Sequence, residues 1–128
     1  MAVITTEVSR QEDADQLQIV SGVATIASSD SVLLDGIGGG WRDFYVYVRM
    51  FDGSGDQVVG GAGTFTVDYQ GPLNDTGVAA TFEDPSSASI DATAPVAVTF
   101  TAPAAAIQVV EANVTTAVTW QVVVVAFR

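Results

Sequence analysis

Asp43-Phe44-Tyr45-Val46-Tyr47-Val48-Arg49-Met50-Phe51 alternates two sets of side chains with a period of two residues. Phe44, Val46, Val48 and Met50 fall on one side, and Tyr45, Tyr47, Arg49 and Phe51 fall on the other. Successive side chains of an extended chain point to opposite faces, so this spacing predicts a strand. Its β-branched and aromatic residues, with no Gly or Pro among them, support the same reading. The first set makes an apolar core face. The second set is aromatic with one cation, so this strand needs cover on both faces.

Period-two patterning recurs outward from this strand, at 17–26, 31–34, 57–59, 64–69, 78–82, 96–101, 107–113 and 117–127. Turn chemistry separates the runs: Asp35-Gly36 with Gly38-Gly39-Gly40, Asp52-Gly53-Ser54-Gly55, Gly71-Pro72, Asp84-Pro85 and Thr101-Ala102-Pro103. Many short strands without intervening helices predict an all-β, single-domain antiparallel β-sandwich or jelly-roll-like fold rather than a parallel α/β sheet. Residues 1–16 are expected as an N-terminal arm and 17–128 as the β-sandwich domain. Ser9-Arg10-Gln11-Glu12 has the spacing of a capping box and is read as a single helical turn. The Ser/Ala/Thr-rich piece 85–95 is read as a loop that adds little to the core.

Phe65, Val67 and Tyr69 share one side of their strand while Thr64, Thr66 and Asp68 share the other, which gives that strand one wet face. The last strand differs. Val118, Trp120, Val122 and Val124 lie on one side, and Val123, Val125 and Phe127 lie on the other after a polar start at Thr119 and Gln121. Two apolar faces mark a central strand or a subunit contact.

The chain has 128 residues, enough for one core without metal or disulfide staples. It contains no lysine, histidine or cysteine, and carries 15 carboxylates against four arginines for a net charge of −11. Imidazole general bases, Schiff-base lysines, thiolate nucleophiles and His/Cys zinc ligands are therefore excluded, and no enzyme activity is expected. Without clustered cations neither nucleic acid nor an anionic membrane is an expected partner. A hydrophobic share of 48% argues against disorder in spite of the charge. A lysine-free, Asp-rich surface suits a protein kept hydrated in concentrated salt, and an ordinary acidic surface is the other reading. The start, Met1-Ala2-Val3-Ile4-Thr5-Thr6-Glu7, has neither the basic nor the apolar region of a secretory signal.

Four motifs have the outline of a site. Asp52, Ser54 and Asp56 stand at the alternate positions that begin an EF-hand loop, but Gln57 and Gly63 occupy the positions of its Gly and Glu, so a polar hairpin is the expectation and no metal or other cofactor is assigned. Gly36-Ile37-Gly38-Gly39-Gly40 leads into a strand rather than a helix and is a turn, not a dinucleotide fingerprint. Glu83-Asp84 and Glu111 could in principle supply an acid pair for glycoside hydrolysis, yet no supporting constellation surrounds them in sequence. Asn74-Asp75-Thr76 and Asn113-Val114-Thr115 match the glycosylation acceptor pattern and are read as turns.

The strongest positive signal is the face of Tyr45, Tyr47, Arg49 and Phe51, because Tyr, Phe and Arg are enriched where proteins bury surface against partners. Either a partner or this chain's own N-terminal arm or a loop covers it. Trp41, just before the strand, extends the patch, and Phe127 and the apolar start Val3-Ile4 complete the candidate interface. A second function fits the same residues: a glycan-binding or adhesion module, with Trp41, Tyr45 and Tyr47 as stacking platforms.

The C-terminal run Thr101-Ala102-Pro103-Ala104-Ala105-Ala106-Ile107-Gln108-Val109-Val110, then Asn113-Val114-Thr115-Thr116, then Val118-Thr119-Trp120-Gln121-Val122-Val123-Val124-Val125-Ala126, resembles small structural proteins of tailed viruses. The resemblance covers the last third of the chain, with a general likeness over 41–51, and identifies no functional residue. It implies a virion component: a capsid decoration, turret or cement-like protein first, a tail component second. The partners it implies are further copies of the chain, as a trimer or other cyclic ring, and the major capsid protein. The implied location is the capsid surface or tail, otherwise extracellular. Joined to the lysine-free acidic composition, it implies a virus of a salt-loving archaeal host.

Overall fold

The computed structural model describes residues 3–4, 7–26, 30–37, 40–71, 82–83 and 89–128. Among them the chain forms β1 (Val3–Ile4), β2 (Glu7–Glu12), β3 (Gln16–Ser21), β4 (Ala24–Thr25), β5 (Ser31–Leu34), β6 (Asp43–Phe51), β7 (Gln57–Val58), β8 (Thr64–Gln70), β9 (Phe82–Glu83), β10 (Ser89–Asp91), β11 (Val98–Thr101), β12 (Ala106–Ala112) and β13 (Thr119–Phe127), with no helix. The strands make two sheets. One runs β1-β5-β12-β8-β10 with β9 also on β8. The other runs β11-β6-β13-β3-β2, with β7 on β6 and β4 on β13. All pairings are antiparallel except β1 with β5. This is the expected β-sandwich.

The core lies between the sheets and uses the alternation read from sequence. Phe44, Val46 and Met50 of β6, Trp120, Val122 and Val124 of β13, and Leu17 and Ile19 of β3 face Phe65 and Val67 of β8 and Ile107 and Val109 of β12, all essentially without exposure. Each such side chain taken out of water contributes about 1.5–3 kcal/mol. Aromatic rings bridge the layers: Phe100 stacks on both Phe44 and Tyr69, with centroids 5.0 and 4.9 Å away, and Phe65 tilts against Trp120 at 5.0 Å.

Two local expectations are corrected. Residues 9–12 are not a helical turn but part of β2, paired with β3 through the register Arg10↔Ile19 and Glu12↔Leu17. The hairpin between them is set by Asp13, whose Oδ1 accepts the N–H groups of Asp15 (2.9 Å) and Gln16 (2.8 Å). This Asx turn returns the chain on itself, and the ladder it permits outweighs a local capping-box pattern. The described part of the piece 85–95, residues 89–95, does reach the core, because β10 pairs β8 and buries Ile90, with Ala92 buried just beyond it.

Other differences are of extent. The run 17–26 breaks at Gly22 and Val23 into β3 and β4, and Val118 is half exposed ahead of β13 instead of lining the core. Of the strand expected at 78–82 only Phe82 lies among the described residues, as do none of the residues of the Asn74-Asp75-Thr76 and Asp84-Pro85 turns. The described parts of residues 1–16 lie in both sheets, β1 at the edge of one and β2 at the edge of the other.

At one end of the sandwich the loop 59–63 is laced to the loop 113–118. Thr115 N–H donates to the Ala62 carbonyl at 2.9 Å, and Ala62 N–H donates to Thr115 Oγ1 at 3.0 Å. Gly63, at φ +118°, passes so close that a Cβ there would meet Val114 Cα at 2.5 Å.

Candidate interaction surface

The outward positions of β6 are Asp43, Tyr45, Tyr47, Arg49 and Phe51, and the register with β13 and β3 sets their neighbours. Tyr47 lies opposite Val123, which lies opposite Val20; Tyr45 lies opposite Val125, which lies opposite Gln18. On the other side Thr99 of β11 lies opposite Tyr45. Phe127 meets Tyr45 edge to face, with ring centroids 5.7 Å apart. Directly opposed side chains of an antiparallel pair stand about 5 Å apart, so these residues form one continuous patch.

The patch is open. Tyr45, Tyr47 and Phe127 are 37%, 42% and 37% exposed. The described parts of residues 1–16 do not cover it, since β2 lies beyond β3 at the edge of this sheet and β1 belongs to the other sheet. Among the outward positions of β11, β6, β13 and β3, Asp43 and Arg49 are the only charged ones. Asp43 sits at the rim, accepting the Thr101 hydroxyl at 2.8 Å. Arg49 lies over the Phe51 ring at 5.6 Å, a cation–π contact of about 0.5–1 kcal/mol at an exposed site. A shallow depression of about 270 Å³ beside Tyr45 is walled by Asp43, Thr99 and Thr101.

The predicted interface residues separate into three groups. Tyr45, Tyr47, Arg49, Phe51 and Phe127 are brought together on this face, Phe51 being half-buried. Val3 and Ile4 belong to the edge of the opposite sheet and are not part of the patch. Trp41 is corrected: it is 1% exposed and belongs to the core, capped by the Arg128 guanidinium 4.1 Å from its ring centroid. A buried ring cannot stack on a glycan. In sequence it only preceded the strand; the C-terminal arginine that seals it reaches it through the β6–β13 pairing.

The Asp52-Ser54-Asp56 segment is a hairpin turn. Asp52 Oδ1 accepts the N–H groups of Ser54 (2.9 Å) and Asp56 (3.1 Å), so this oxygen is directed at the backbone. Asn113-Val114-Thr115 is likewise a turn, with Asn113 at φ 56° and Val114 buried. Glu83 has a described backbone only and Asp84 lies outside the described residues, so that carboxylate pair has no geometry to weigh. Two exposed aspartates are held below the usual carboxylate range by their turns: Asp13 by the backbone N–H groups of Asp15 and Gln16, and Asp91 by the backbone and then the hydroxyl of Thr93.

Sequence reasoning missed Arg10. It stands on the edge strand β2 and donates to the carbonyls of Gly36 (3.0 Å) and Ile37 (2.8 Å), tying one sheet to the loop that follows β5 of the other. It also missed the buried carboxylate Asp30, 5% exposed, and the burial of Glu111, 1% exposed, which the sequence offered only as one carboxylate of an acid pair. No local signal marks Arg10, because its carbonyl contacts lie 26 and 27 residues away in sequence.

No curated protein and no solved structure matches the chain. Residues 16–127, from the first residue of β3 to the last of β13, match the family model described as a domain of unknown function, DUF7265, and the chain therefore belongs to that family.

Proposed function

We propose that this protein is a non-enzymatic structural protein that assembles through the outer face of the β11-β6-β13-β3 layer. The observation that carries the reading is the composition of that face: Tyr45, Tyr47, Val123, Val125 and Phe127 exposed or half-buried around Arg49, in a chain whose net charge is −11. Strongly like-charged chains approach each other at lowest electrostatic cost where carboxylates are absent. Aromatic residues with Arg supply the contact energy typical of interface centres.

In its specific form the proposal is a virion decoration or cement-like protein, forming a homo-oligomeric ring that also contacts the major capsid protein, with a tail component of the same virion as the nearest alternative. The resemblance of the C-terminal hairpin supports this form. A ring multiplies a modest contact through effective concentration. The salt-loving host implied by the composition belongs to the same proposal. The glycan-binding alternative retains Tyr45 and Tyr47 but loses Trp41 as a platform.

Light scattering across a concentration series is the test. The wild type is expected as an oligomer at micromolar concentration in high salt, and Tyr47→Glu as a monomer. A wild type that stays monomeric in both low and high salt overturns the assembly reading. For the virion form, neighbouring genes encoding a major capsid, portal or tail protein are the expected finding, and a carbohydrate-utilisation cluster is the contrary one.

A further inference from the structure

We infer that the outer face of the β11-β6-β13-β3 layer takes a second copy of the same face, with the two β6 strands antiparallel, so that Arg49 of each copy meets Asp43 of the other. This rests on the assembly reading and gives that contact its partner and its geometry: a two-fold pair, the smallest closed cyclic assembly.

Asp43 and Arg49 are the only charged outward positions of β11, β6, β13 and β3, and they lie at equal distances either side of Val46 on one strand. Neither charge is matched within the chain. The exposed Arg49 guanidinium lies over the Phe51 ring at 5.6 Å and joins no ion pair among the described residues. Asp43 accepts the Thr101 hydroxyl through Oδ1 and leaves Oδ2 without a donor among the described residues. The strand between them spans about 20 Å, so the two cannot pair with each other in one copy.

Two copies of one sheet face stack about a two-fold axis lying in the plane between them. An axis along β6 sets Asp43 over Asp43 and Arg49 over Arg49. An axis across the strands makes β6 antiparallel to its copy and exchanges positions that are symmetric about the axis. Placed over Val46, it also passes over Val124 and Ile19, because Val46 pairs with Val124 and Val124 with Ile19. It then brings Arg49 to Asp43, Tyr45 to Tyr47 and Val123 to Val125 of the second copy. Opposite charges, aromatic rings and aliphatic side chains each meet their own complement.

Stacked sheets lie about 10 Å apart with their strands turned by about 30°, an offset that the long arginine stem bridges. Its target is the depression beside Tyr45 walled by Asp43, Thr99 and Thr101, where Oδ2 awaits a donor. Chains of net charge −11 repel each other. The stacking with two ion pairs across the copies is therefore favoured over the one that opposes two pairs of like charges, and such charges set orientation more than affinity.

Sedimentation equilibrium on the whole chain, with charge swaps, is the test. The wild type is expected as a dimer and Tyr47→Glu as a monomer. Arg49→Asp and Asp43→Arg each place like charges together and are expected to weaken the dimer about tenfold or more. The double swap restores the pairs and is expected to return the affinity to near that of the wild type. It keeps the net charge at −11, and Asp43→Arg alone makes the chain less negative, so weakening there cannot come from overall repulsion. Should a swap fail to fold, cross-linking decides: the chain has no cysteine, and a short bismaleimide is expected to join Asp43→Cys chains to Arg49→Cys chains in a mixture but neither variant to itself. A wild type that is monomeric, or an oligomer that Tyr47→Glu leaves intact, overturns the assembly reading and this pair with it. A Tyr47-dependent oligomer that is not a dimer, a folded double swap without rescue, or either cysteine variant cross-linking to itself overturns the antiparallel pair alone.

Discussion

Replacing Gly63 by alanine tests how this sandwich is closed. Gly63 has φ +118°, which L side chains rarely adopt, and an added Cβ meets Val114 Cα at 2.5 Å, Asn113 O at 2.6 Å and Val114 N at 2.6 Å. All three are backbone atoms, so no side chain can swing aside. Gly60 is its natural control, with nearly the same φ, +122°, but nothing within 4 Å of the added Cβ. Gly60→Ala therefore isolates the backbone strain, about 1–2 kcal/mol. Gly63→Ala adds overpacking against the 113–118 loop, a further ~1–3 kcal/mol, for a total near 4 kcal/mol. Against a typical stability of about 5–15 kcal/mol this is severe but survivable. Urea denaturation of both variants measures it, with the midpoint of Gly63→Ala expected well below that of Gly60→Ala and its melting temperature lower by about 10 °C. Equal costs would show that the two loops are not in firm contact and would refute the reasoning.

Four further outcomes follow from individual contacts. Tyr47→Glu, at a position 42% exposed, is expected to cost the fold about 1 kcal/mol or less by urea titration while removing self-association. Arg128→Ala uncovers Trp41, whose ring the guanidinium caps at 4.1 Å; the expected cost is about 0.5–1 kcal/mol with a red shift of tryptophan emission, Trp120 remaining buried as the internal reference. Asp13 and Asp91 are both held below their ordinary values by turn hydrogen bonds. A depressed folded-state value adds stability that is complete above the unfolded value, near pH 4, and is lost as pH falls through the folded one. NMR titration of the two carboxyl groups should therefore place both midpoints below those of their counterparts in urea, and midpoints at the unfolded values would remove the turn assignment. Asp52→Ala deletes the acceptor for Ser54 and Asp56 N–H, and a loss of about 1 kcal/mol is expected in thermal melts.

What could be read from sequence was whatever depends on local alternation. The bounds 31–34 and 43–51 coincide with β5 and β6, and the inward and outward sets of β6, β8 and most of β13 fall as the period-two pattern assigns them. β2 was missed because Glu-Val-Ser-Arg-Gln-Glu carries no apolar period; its strand character comes from pairing with β3 after the Asp13 turn. β10 was missed because its short, small-residue sequence has one large apolar side chain, Ile90, whose burial depends on the groove β8 offers. The outward aromatic face of β6 was legible in Tyr45, Tyr47 and Arg49, yet Trp41 was misplaced, since hydrophobic character alone does not say whether a ring before a strand turns inward. Arg128 over Trp41 and Asp30 beside Glu111 needed the sheet order, which fixes neighbours that no local pattern encodes.

The two outer walls of the sandwich are unlike, and this narrows how the molecule can assemble. The outward residues of β8 are Thr64, Thr66, Asp68 and Gln70, opposed on β12 by Ala112, Val110, Gln108 and Ala106, a largely polar wall that gains little from burial. Edge-to-edge growth of the sheets is also blunted. The described edge strands β1, β10 and β11 have two, three and four residues, and the longer edge β2 carries Ser9, Arg10, Gln11 and Glu12, with Arg10 clamped to the opposite layer. Short edges and charged edge residues are how β proteins avoid open-ended pairing. With the edges poor templates and one wall polar, the aromatic wall of β6 and β13 is the surface whose burial returns the most free energy. A homo-oligomer that instead joined the β2 or β10 ladders, leaving Tyr45 and Tyr47 in solvent, would contradict that ordering of energies.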